Sequence, residues 1–583
     1  MTITRPAASK KTVAIDFGTT TTLVAIRRGE GLPEVLAIGP ANQPTLMPSI
    51  IDSEDTAVVG ESVSPDRAHR SVKSDLTLLE TQPMSEHHSQ LAEARVRAII
   101  REAVRRAEER VPDLLRDAEV FIGCPALWSG PNRKKLATIV YELGIPVDYG
   151  NVIDEPVAAG ISWIREQWLR GREKPTGNVV VFDPGGGTLD IAYLNVIANT
   201  KSEIPDISIY YADSIPKSGD YADELLVTSL VNIKPELLPY AERRELRDAA
   251  RLLKEQLSFS SSAAVNTGPP VNQTLQARAD DLNVSLRPLI ADIERLLENV
   301  VRGSLLRTES GLTPHQIRLE DYRNKLAAEV NYVVLSGGLS HIPIFRELLQ
   351  DIFHNAQLII LDKPQEAVVA GLCYGNELVH LNLPRPPISF YARVKSKNGK
   401  DKIAVTDHCV YEAYSPIFTR EQALAGSGEM YVSWSAESAE PTRVEFFAVI
   451  PTIRNVPLER RRVRFERTMP AVKGNYPLGT PRVGDPLPQP KNVPIVQKPQ
   501  SFITVPVEHD LRYLHGVARF VMYPTAEIVF SGKNAHYEVR IESWTPTRGN
   551  FDKGNHAATA RVWYQPTSHD AVNKLDTEAW RDD

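Results

Sequence analysis

Two short motifs constrain this chain more than anything else in it. The first is Ala14-Ile15-Asp16-Phe17-Gly18-Thr19-Thr20-Thr21, and the second is Val181-Phe182-Asp183-Pro184-Gly185-Gly186-Gly187-Thr188-Leu189-Asp190. Each is an apolar run that meets an aspartate, turns on glycine and threonine, and continues as a second apolar run. That pattern predicts a β-hairpin with an acid at the mouth of its turn. Its recurrence predicts two similar lobes gripping one polyanion from opposite sides. Glycine lets the backbone come close and aim its N–H groups at phosphate oxygens, and threonine hydroxyls add donors. Carboxylates beside phosphate call for a divalent cation between them, and Mg²⁺ keeps several of its waters. Asp16 and Asp183 are therefore expected to hold the metal's hydration shell. For either motif alone, an ordinary glycine-turned hairpin is the plain alternative.

The chain has 583 residues, enough for three or four domains. Its 42% hydrophobic and 24% charged content is that of a soluble protein, and a net charge of −6 points to neither nucleic acid nor membrane. Cys124, Cys373 and Cys409 lie far apart with no CxxC pair. This excludes a disulfide scaffold and a zinc knuckle, and fits a reducing compartment. Residues 1–11 read as a disordered polar tail without the apolar core of a signal peptide. No run is long enough for a transmembrane helix. The cytoplasm is the expected location.

Residues 12–180 alternate strand-like and helical stretches. Residues 89–114 predict a helix whose arginines, interleaved with glutamates, form a solvated face rather than a nucleic-acid surface. A buried strand is expected at 120–124, a helix at 132–143, a short strand at 152–153 and a helix at 157–169. The pattern then repeats. Strands run to residue 211, helices are expected at 221–231, 240–257 and 286–301, a buried strand lies at 332–336, and a helix at 342–353. Gly337-Gly338 precedes that helix, so its backbone N–H groups are placed to meet a ligand. Neither GxxxxGK[ST] nor GxGxxG occurs.

The character changes near Val379. Strands are expected at 388–395, 402–410, 430–434, 444–450, 501–507, 517–523, 528–531, 537–543 and 560–564. They read as one or two β-sandwich modules, with β-rich stretches at 388–468 and 501–583 joined by a Pro/Gly-rich connector at 469–500. The run Arg460-Arg461-Arg462-Val463-Arg464-Phe465 fits the wet face of an edge strand.

In order along the chain, five motifs resemble those of the seventy-kilodalton heat-shock chaperone family, within the actin, sugar-kinase and heat-shock ATPase superfamily. Ile15-Asp16-Phe17-Gly18-Thr19-Thr20 resembles its first phosphate motif, and residues 182–190 its second. Asp154-Glu155-Pro156-Val157-Ala158-Ala159-Gly160 resembles the first connecting motif and Pro364-Gln365-Glu366-Ala367-Val368 the second. Val334-Leu335-Ser336-Gly337-Gly338 resembles the adenosine motif.

The resemblance implies an α/β fold, a two-lobed actin-like ATPase domain with duplicated ribonuclease-H-like lobes over 12–378. Lobe I would take about 12–176 plus 360–378, and lobe II about 177–359 with a helical insertion at about 220–301. A linker at 379–387 would lead to the β-rich, β-sandwich C-terminal region. The implied ligands are ATP/ADP and Mg²⁺. Asp16 and Asp183 would organise the metal. Gly18, Thr19, Thr20, Thr21, Gly185, Gly186, Gly187 and Gly219 would cradle phosphates. Lys73, Glu155, Asp183 and Thr188 would be catalytic, with Glu155 ordering the attacking water. Lys254, Ser258, Gly337, Gly338 and His341 would line the adenosine side, and Pro125 and Arg133 would relay the nucleotide state. Arg251 and Glu255 stand where the family keeps glutamate and arginine, Leu339 replaces a serine, His341 an adenine-stacking arginine, and Gln365 a ribose-side aspartate. The implied activity is a slow, chaperone-type ATPase whose C-terminal region binds a protein client or co-chaperone. A non-hydrolysing nucleotide-gated interaction platform is the alternative, and an actin-like filament or a sugar kinase stands further off.

Overall fold

A computed structural model describes residues 11–377, except 82–84, 148, 172–173, 199–203, 309–323 and 325–327, and ten strands between Ser389 and Tyr564. The expected tail, linker and 469–500 connector, and the strand expected at 528–531, lie outside the described residues, apart from Lys11. Two compact units result, Met1–Val301 with Asp321–Leu378, and Arg302–Glu320 with Val379–Asp583.

In the first unit, β1 (Lys11–Phe17) and β2 (Thr21–Arg28) are the first predicted hairpin. Nearly every residue of both is buried, as strands covered on both faces require. The short strands β3 (Glu34–Val35), β4 (Met47–Pro48), β5 (Ile51–Asp52) and β6 (Ala68–His69) follow. Helices α1 (Val72–Thr81) and α2 (Glu86–Arg110) then lead to β7 (Glu119–Cys124), α3 (Gly130–Glu142), β8 (Val152–Asp154) and α4 (Glu155–Leu169). The Ser85 hydroxyl caps α2 by accepting the His88 N–H at 3.3 Å. Arg105 and Arg106 pair with Glu102 at 2.8 and 2.7 Å, the solvated-face arrangement. The sheet order is β3-β2-β1-β7-β8, with β1–β2 antiparallel and β1–β7–β8 parallel.

The plan then repeats. β9 (Gly177–Pro184) and β10 (Leu189–Ile197) form the second hairpin, followed by β11 (Asp206–Ile215). Helices α5 (Gly219–Val231) and α6 (Tyr240–Leu257) come next. After them the hairpin β12 (Ser262–Asn266) and β13 (Thr274–Arg278) interrupts what periodicity presents as an all-helical insertion. Val265 and Leu275 are the only large apolar residues of these five-residue strands, so little in them announces a sheet. Then come α7 (Ala279–Ser285), α8 (Arg287–Thr308), β14 (Val330–Leu335), α9 (Pro343–Ile352), β15 (Gln357–Ile360) and α10 (Ala367–Leu372). A 3₁₀ turn, Gly338–His341, separates the glycine pair from α9. This sheet runs β11-β10-β9-β14-β15, the same order of hairpin, flanking strand and two parallel strands as the first.

One buried cluster joins both sheets to α4 and α10. Gly160 lets α4 lie on β9 and β10, where a Cβ would come within 2.6 Å of Val181 and 2.7 Å of Leu194. Gly371 lets α10 lie on α4, where a Cβ would overlap the carbonyl oxygen of Ala158. Just beyond α10, Glu377 is gripped by Arg27 at 2.6 Å and Arg165 at 2.8 Å, with the Arg27 guanidinium 4.4 Å above the Tyr374 ring. Cys124 and Cys373 are buried free thiols. No helix among the described residues is long and apolar enough to cross a membrane.

In the second unit the strands are β16 (Ser389–Asn398), β17 (Lys402–Tyr411), β18 (Glu429–Ser435), β19 (Arg443–Val449), β20 (Arg460–Arg462), β21 (Arg464–Thr468), β22 (Phe502–Thr504), β23 (His515–Thr525), β24 (Tyr537–Thr547) and β25 (Asn550–Tyr564). They form two sheets, β17-β16-β19-β20 with β22 on β19, and β18-β23-β24-β25-β21. Strands of 388–468 and of 501–583 share these sheets, since β18 pairs with β23, β19 with β22 and β21 with β25. A ladder needs only complementary edges, whatever their separation along the chain. The arginine run supplies β20 and β21, each at a sheet edge.

Candidate active site

The two acid-bearing hairpins end against each other. In the first, Gly18 closes the turn, its N–H on the Thr21 carbonyl at 3.0 Å, so close that a Cβ would lie 2.5 Å from that oxygen. In the second, the Gly185 N–H reaches the Thr188 carbonyl at 3.0 Å. A Cβ on Gly186 would overlap the Thr20 hydroxyl, and one on Gly187 would sit 2.6 Å from the Thr19 hydroxyl and 2.9 Å from that of Ser74. The second turn thus approaches the first through glycine backbone set against threonine and serine hydroxyls. The start of α5 closes the third side, with the Gly219 N–H on the Gly185 carbonyl at 3.1 Å and the Asp220 N–H on the Gly186 carbonyl at 2.7 Å.

The charged groups converge on the same point. Lys73, in the first turn of α1, is buried and ion-paired with Glu155, the first residue of α4. Ser71, just before α1, holds the left-handed conformation at φ 58°, and its hydroxyl donates to Asp220 in the other lobe. Asp16 at the end of β1 and Asp183 at the end of β9 are buried. In the second hairpin Asp183 stands directly opposite Asp190. Like charges at facing positions of a ladder destabilise it.

Asp16, Glu155 and Asp190 thus act on one ammonium while the charges acting on Asp183 are those of other acids, and their proton affinities show the cost. Burial pushes Asp16 up to about 6, against the pull of Lys73. Burial pushes Glu155 up to about 7, with Lys73 opposing and Asp16 adding. Asp190 rises to about 7 through burial and then the charge of Glu155. Asp183 rises well above the ordinary carboxylate range through burial, then through Asp190, Glu155 and Asp16. Burial alone would lower Lys73, but Glu155 and Asp16 outweigh it and hold it above the usual lysine value.

A carboxyl held above its unfolded pKa favours the fold while protonated, and loses that contribution as pH rises through the folded value. The nucleotide-free, metal-free protein is therefore expected to lose stability between about pH 4 and 7. The loss should reach a few kcal/mol, because each tenfold change in proton affinity is worth about 1.4 kcal/mol. Thermal melts in EDTA across this range test it, and a midpoint that climbs with pH would contradict it.

The motifs alone assign Asp190 no role, yet it organises the cleft. It accepts the Thr188 hydroxyl at 2.6 Å, the Ser214 hydroxyl, and the Ala126 N–H at 3.0 Å from the loop after β7. The signal is present in the chain, since a four-residue turn between antiparallel strands sets position i opposite i+7. Arg133 is buried, donates to the Trp128 carbonyl at 2.8 Å, and pairs with Asp154 beside Glu155.

The expected adenosine-side residues lie on neighbouring elements. Lys254 donates to the Gly219 carbonyl at 3.0 Å and pairs with Asp223 at 2.5 Å, and Ser258 donates to the Lys254 carbonyl at 3.0 Å. Arg251 pairs with Asp220 and Asp223 at 3.1 and 3.3 Å, while Glu255 is exposed. Gly337 holds φ 71°, and a Cβ there would sit 2.6 Å from Asp183 Oδ1. Gly338 lies near the Gln365 amide, and His341 packs against Phe259.

The family model described as Hsp70 protein matches residues 69–375, just over half of the chain, and its match begins after the first hairpin. The chain is 26% identical over 405 residues to a Chaperone protein HscA homolog of Bordetella petrii, covering 65% of this chain and 60% of that protein. It is 24% identical over 353 residues to the Chaperone protein DnaK of Mycoplasma mobile, covering 59% and 54%. A mitochondrial Heat shock 70 kDa protein of Pisum sativum matches at 26% over 230 residues, covering 39% and 30%. The chain thus spans less than two thirds of the length of each of these relatives.

Proposed function

This chain belongs to the Hsp70 family, and from that premise we propose that its first unit binds ATP with a divalent cation between its lobes and hydrolyses it slowly. The observation that carries the reading is the buried charge cluster at the two glycine turns, in which Asp16, Glu155 and Asp190 act on Lys73 and Asp183 stands opposite Asp190. Uncompensated buried carboxylates are costly, so the donor set fits a cation. Among the described residues no three His, Cys, Asp or Glu side chains close on one point as direct metal ligands. Asp16 and Asp183 would hold Mg²⁺ through its waters, as that ion favours. When bound, the ion neutralises triphosphate charge.

The chain's own groups do the rest. Thr19, Thr20, Thr21 and the N–H groups of both glycine turns orient the phosphates, with Gly219 closing the cradle. Lys73 sets its ammonium where negative charge develops during transfer. Glu155, poised near neutral pH, orders the attacking water and takes its proton. Thr188 is held by Asp190 beside that water's path. Asp190 also holds the Ala126 amide of the other lobe. A change at the terminal phosphate therefore pulls on both lobes, and Arg133 and Asp154 carry it onward. We read the C-terminal sheets as a β-sandwich that uses this state to hold or release a protein client or co-chaperone. One observation favours the alternative of a gated platform without turnover, namely that Lys254 and Ser258 are already bonded internally.

Calorimetric titration of ATP, ADP and GTP with Mg²⁺, alongside phosphate release, tests the proposal. Saturable Mg²⁺-dependent binding with release, lost in Asp16→Ala, supports an ATPase. Binding without release selects the platform, and a wild-type chain that binds no nucleotide ends both readings.

A further inference from the structure

Ser71 holds a backbone conformation that its residue type disfavours. Among the described residues, the other non-glycine positions with positive φ are Asp113, Asp117, Asn232 and Asn272, the types that tolerate the left-handed region best. Ser71, at φ 58°, is the exception. A strained residue persists where its surroundings fix it, and Ser71 is fixed from the other lobe. A serine just ahead of a helix ordinarily turns its oxygen back onto the first N–H groups of that helix. Here the Ser71 carbonyl takes the Ser74 N–H at 2.8 Å, while the Ser71 hydroxyl donates to Asp220 Oδ2.

Asp220 is held for that contact on two sides. Its other carboxylate oxygen accepts from Arg251 of α6 at 3.1 Å, and its own N–H is the one bonded to the Gly186 carbonyl of the second phosphate turn. Across the gap, Ser71 stands two residues ahead of Lys73, and the Ser74 hydroxyl lies against Gly187 of the same turn. Arg70 with Asp248 at 3.6 Å, and Arg244 on the Asp66 carbonyl at 2.9 Å, also tie the stretch before α1 to α6. The Ser71–Asp220 bond is the tie that reaches a residue bonded to the phosphate turn itself.

We infer that Ser71 is a positioning residue for phosphate transfer: its bond to Asp220 pins the start of α1 to the second phosphate turn and so sets where Lys73 stands during the transfer. The inference rests on the ATPase reading above and adds to that site a residue that acts through Lys73 rather than on the phosphates. Glu155 anchors the Lys73 ammonium within its own lobe. The turn at Gly185, Gly186 and Gly187 belongs to the other lobe, so the pair alone does not fix the ammonium against that turn. The Ser71 pin supplies the missing constraint. Transfer is sensitive to it, because a misplacement of about 1 Å can cost about 10²-fold in rate.

The test compares phosphate release from Mg²⁺-ATP by wild type, Ser71→Gly, Ser71→Asn, Asp220→Ala and the double variant Ser71→Gly/Asp220→Ala, with kcat and KM read separately. Glycine adopts positive φ freely, so Ser71→Gly removes the hydroxyl without adding strain. It is expected to lower kcat by about tenfold, the scale of one hydrogen bond to a charged group. KM is expected to stay within about threefold, as for an interaction realised in the transition state. Asparagine tolerates the same backbone and keeps a donor, so Ser71→Asn is expected to recover most of the rate. With Asp220→Ala in place, Ser71→Gly is expected to cost less than about threefold more, because the acceptor is already gone. A Ser71→Gly protein with the wild-type kcat, or one that loses the full tenfold again in the Asp220→Ala background, overturns the inference and leaves the ATPase reading standing. A wild-type chain that releases no phosphate removes both.

Discussion

Asp183→Asn is expected to lower ATP turnover by about 10²- to 10³-fold, the usual cost of removing one preorganised electrostatic group. The nucleotide-free protein should meanwhile become no less stable. The two effects have one origin. Asp183 is buried opposite Asp190 and is opposed by Asp190, Glu155 and Asp16, so its charge is a liability to the fold unless a cation answers it. Asparagine keeps the volume but carries no charge. Turnover depends on that charge and the fold does not, a separation common at active sites. The variant should also show a shallower loss of stability with rising pH than wild type in EDTA, because one of the groups that titrates there is gone. Phosphate release measured beside thermal melts at two pH values checks all three outcomes. Unchanged turnover would remove Asp183 from the mechanism, and a variant that melts far below wild type would show that the carboxylate serves the fold.

Gly371→Ala is expected to destabilise the first unit by about 3 kcal/mol or more, because the overpacked contact is backbone and cannot rotate away. The added methyl would overlap the Ala158 carbonyl oxygen, so α10 and α4 must separate. α4 begins at Glu155, and its separation from α10 should displace the partner of Lys73. At about 2–4 °C per kcal/mol, the midpoint is expected to fall by about 10 °C, with weakened nucleotide binding alongside. Gly144→Ala is the control: that glycine has open space around it, at φ 81°, so only its backbone preference is lost. A Gly371→Ala protein that melts with the control would show that the helices are not so close.

The parts of the fold that local pattern announces were legible. Apolar strands broken by glycine and threonine mark both hairpins, and the 3.6-residue period places α6 at Tyr240–Leu257, the same bounds as expected. The two-lobed plan follows from the repetition of one motif, and the acids at the two turns were visible as residues out of place in apolar runs. The β12–β13 hairpin was not legible, because five-residue strands with mixed polarity look like any loop. Asp190 becomes legible only once the register of a four-residue turn is fixed.

Residue order alone thus settles which segments become strands and helices, and where the backbone must carry glycine, because those depend on neighbours a few positions apart. Folding alone settles which distant groups meet. Lys73 finds Glu155, Asp190 reaches Ala126, Gly371 presses on Ala158, and strands from both sides of residues 469–500 share the same sheets. Such pairings depend on packing that closes long loops, and no short window of the chain holds both partners. The raised proton affinities of the four acids belong to this second class, since they arise only when burial removes water from charges brought together by the fold.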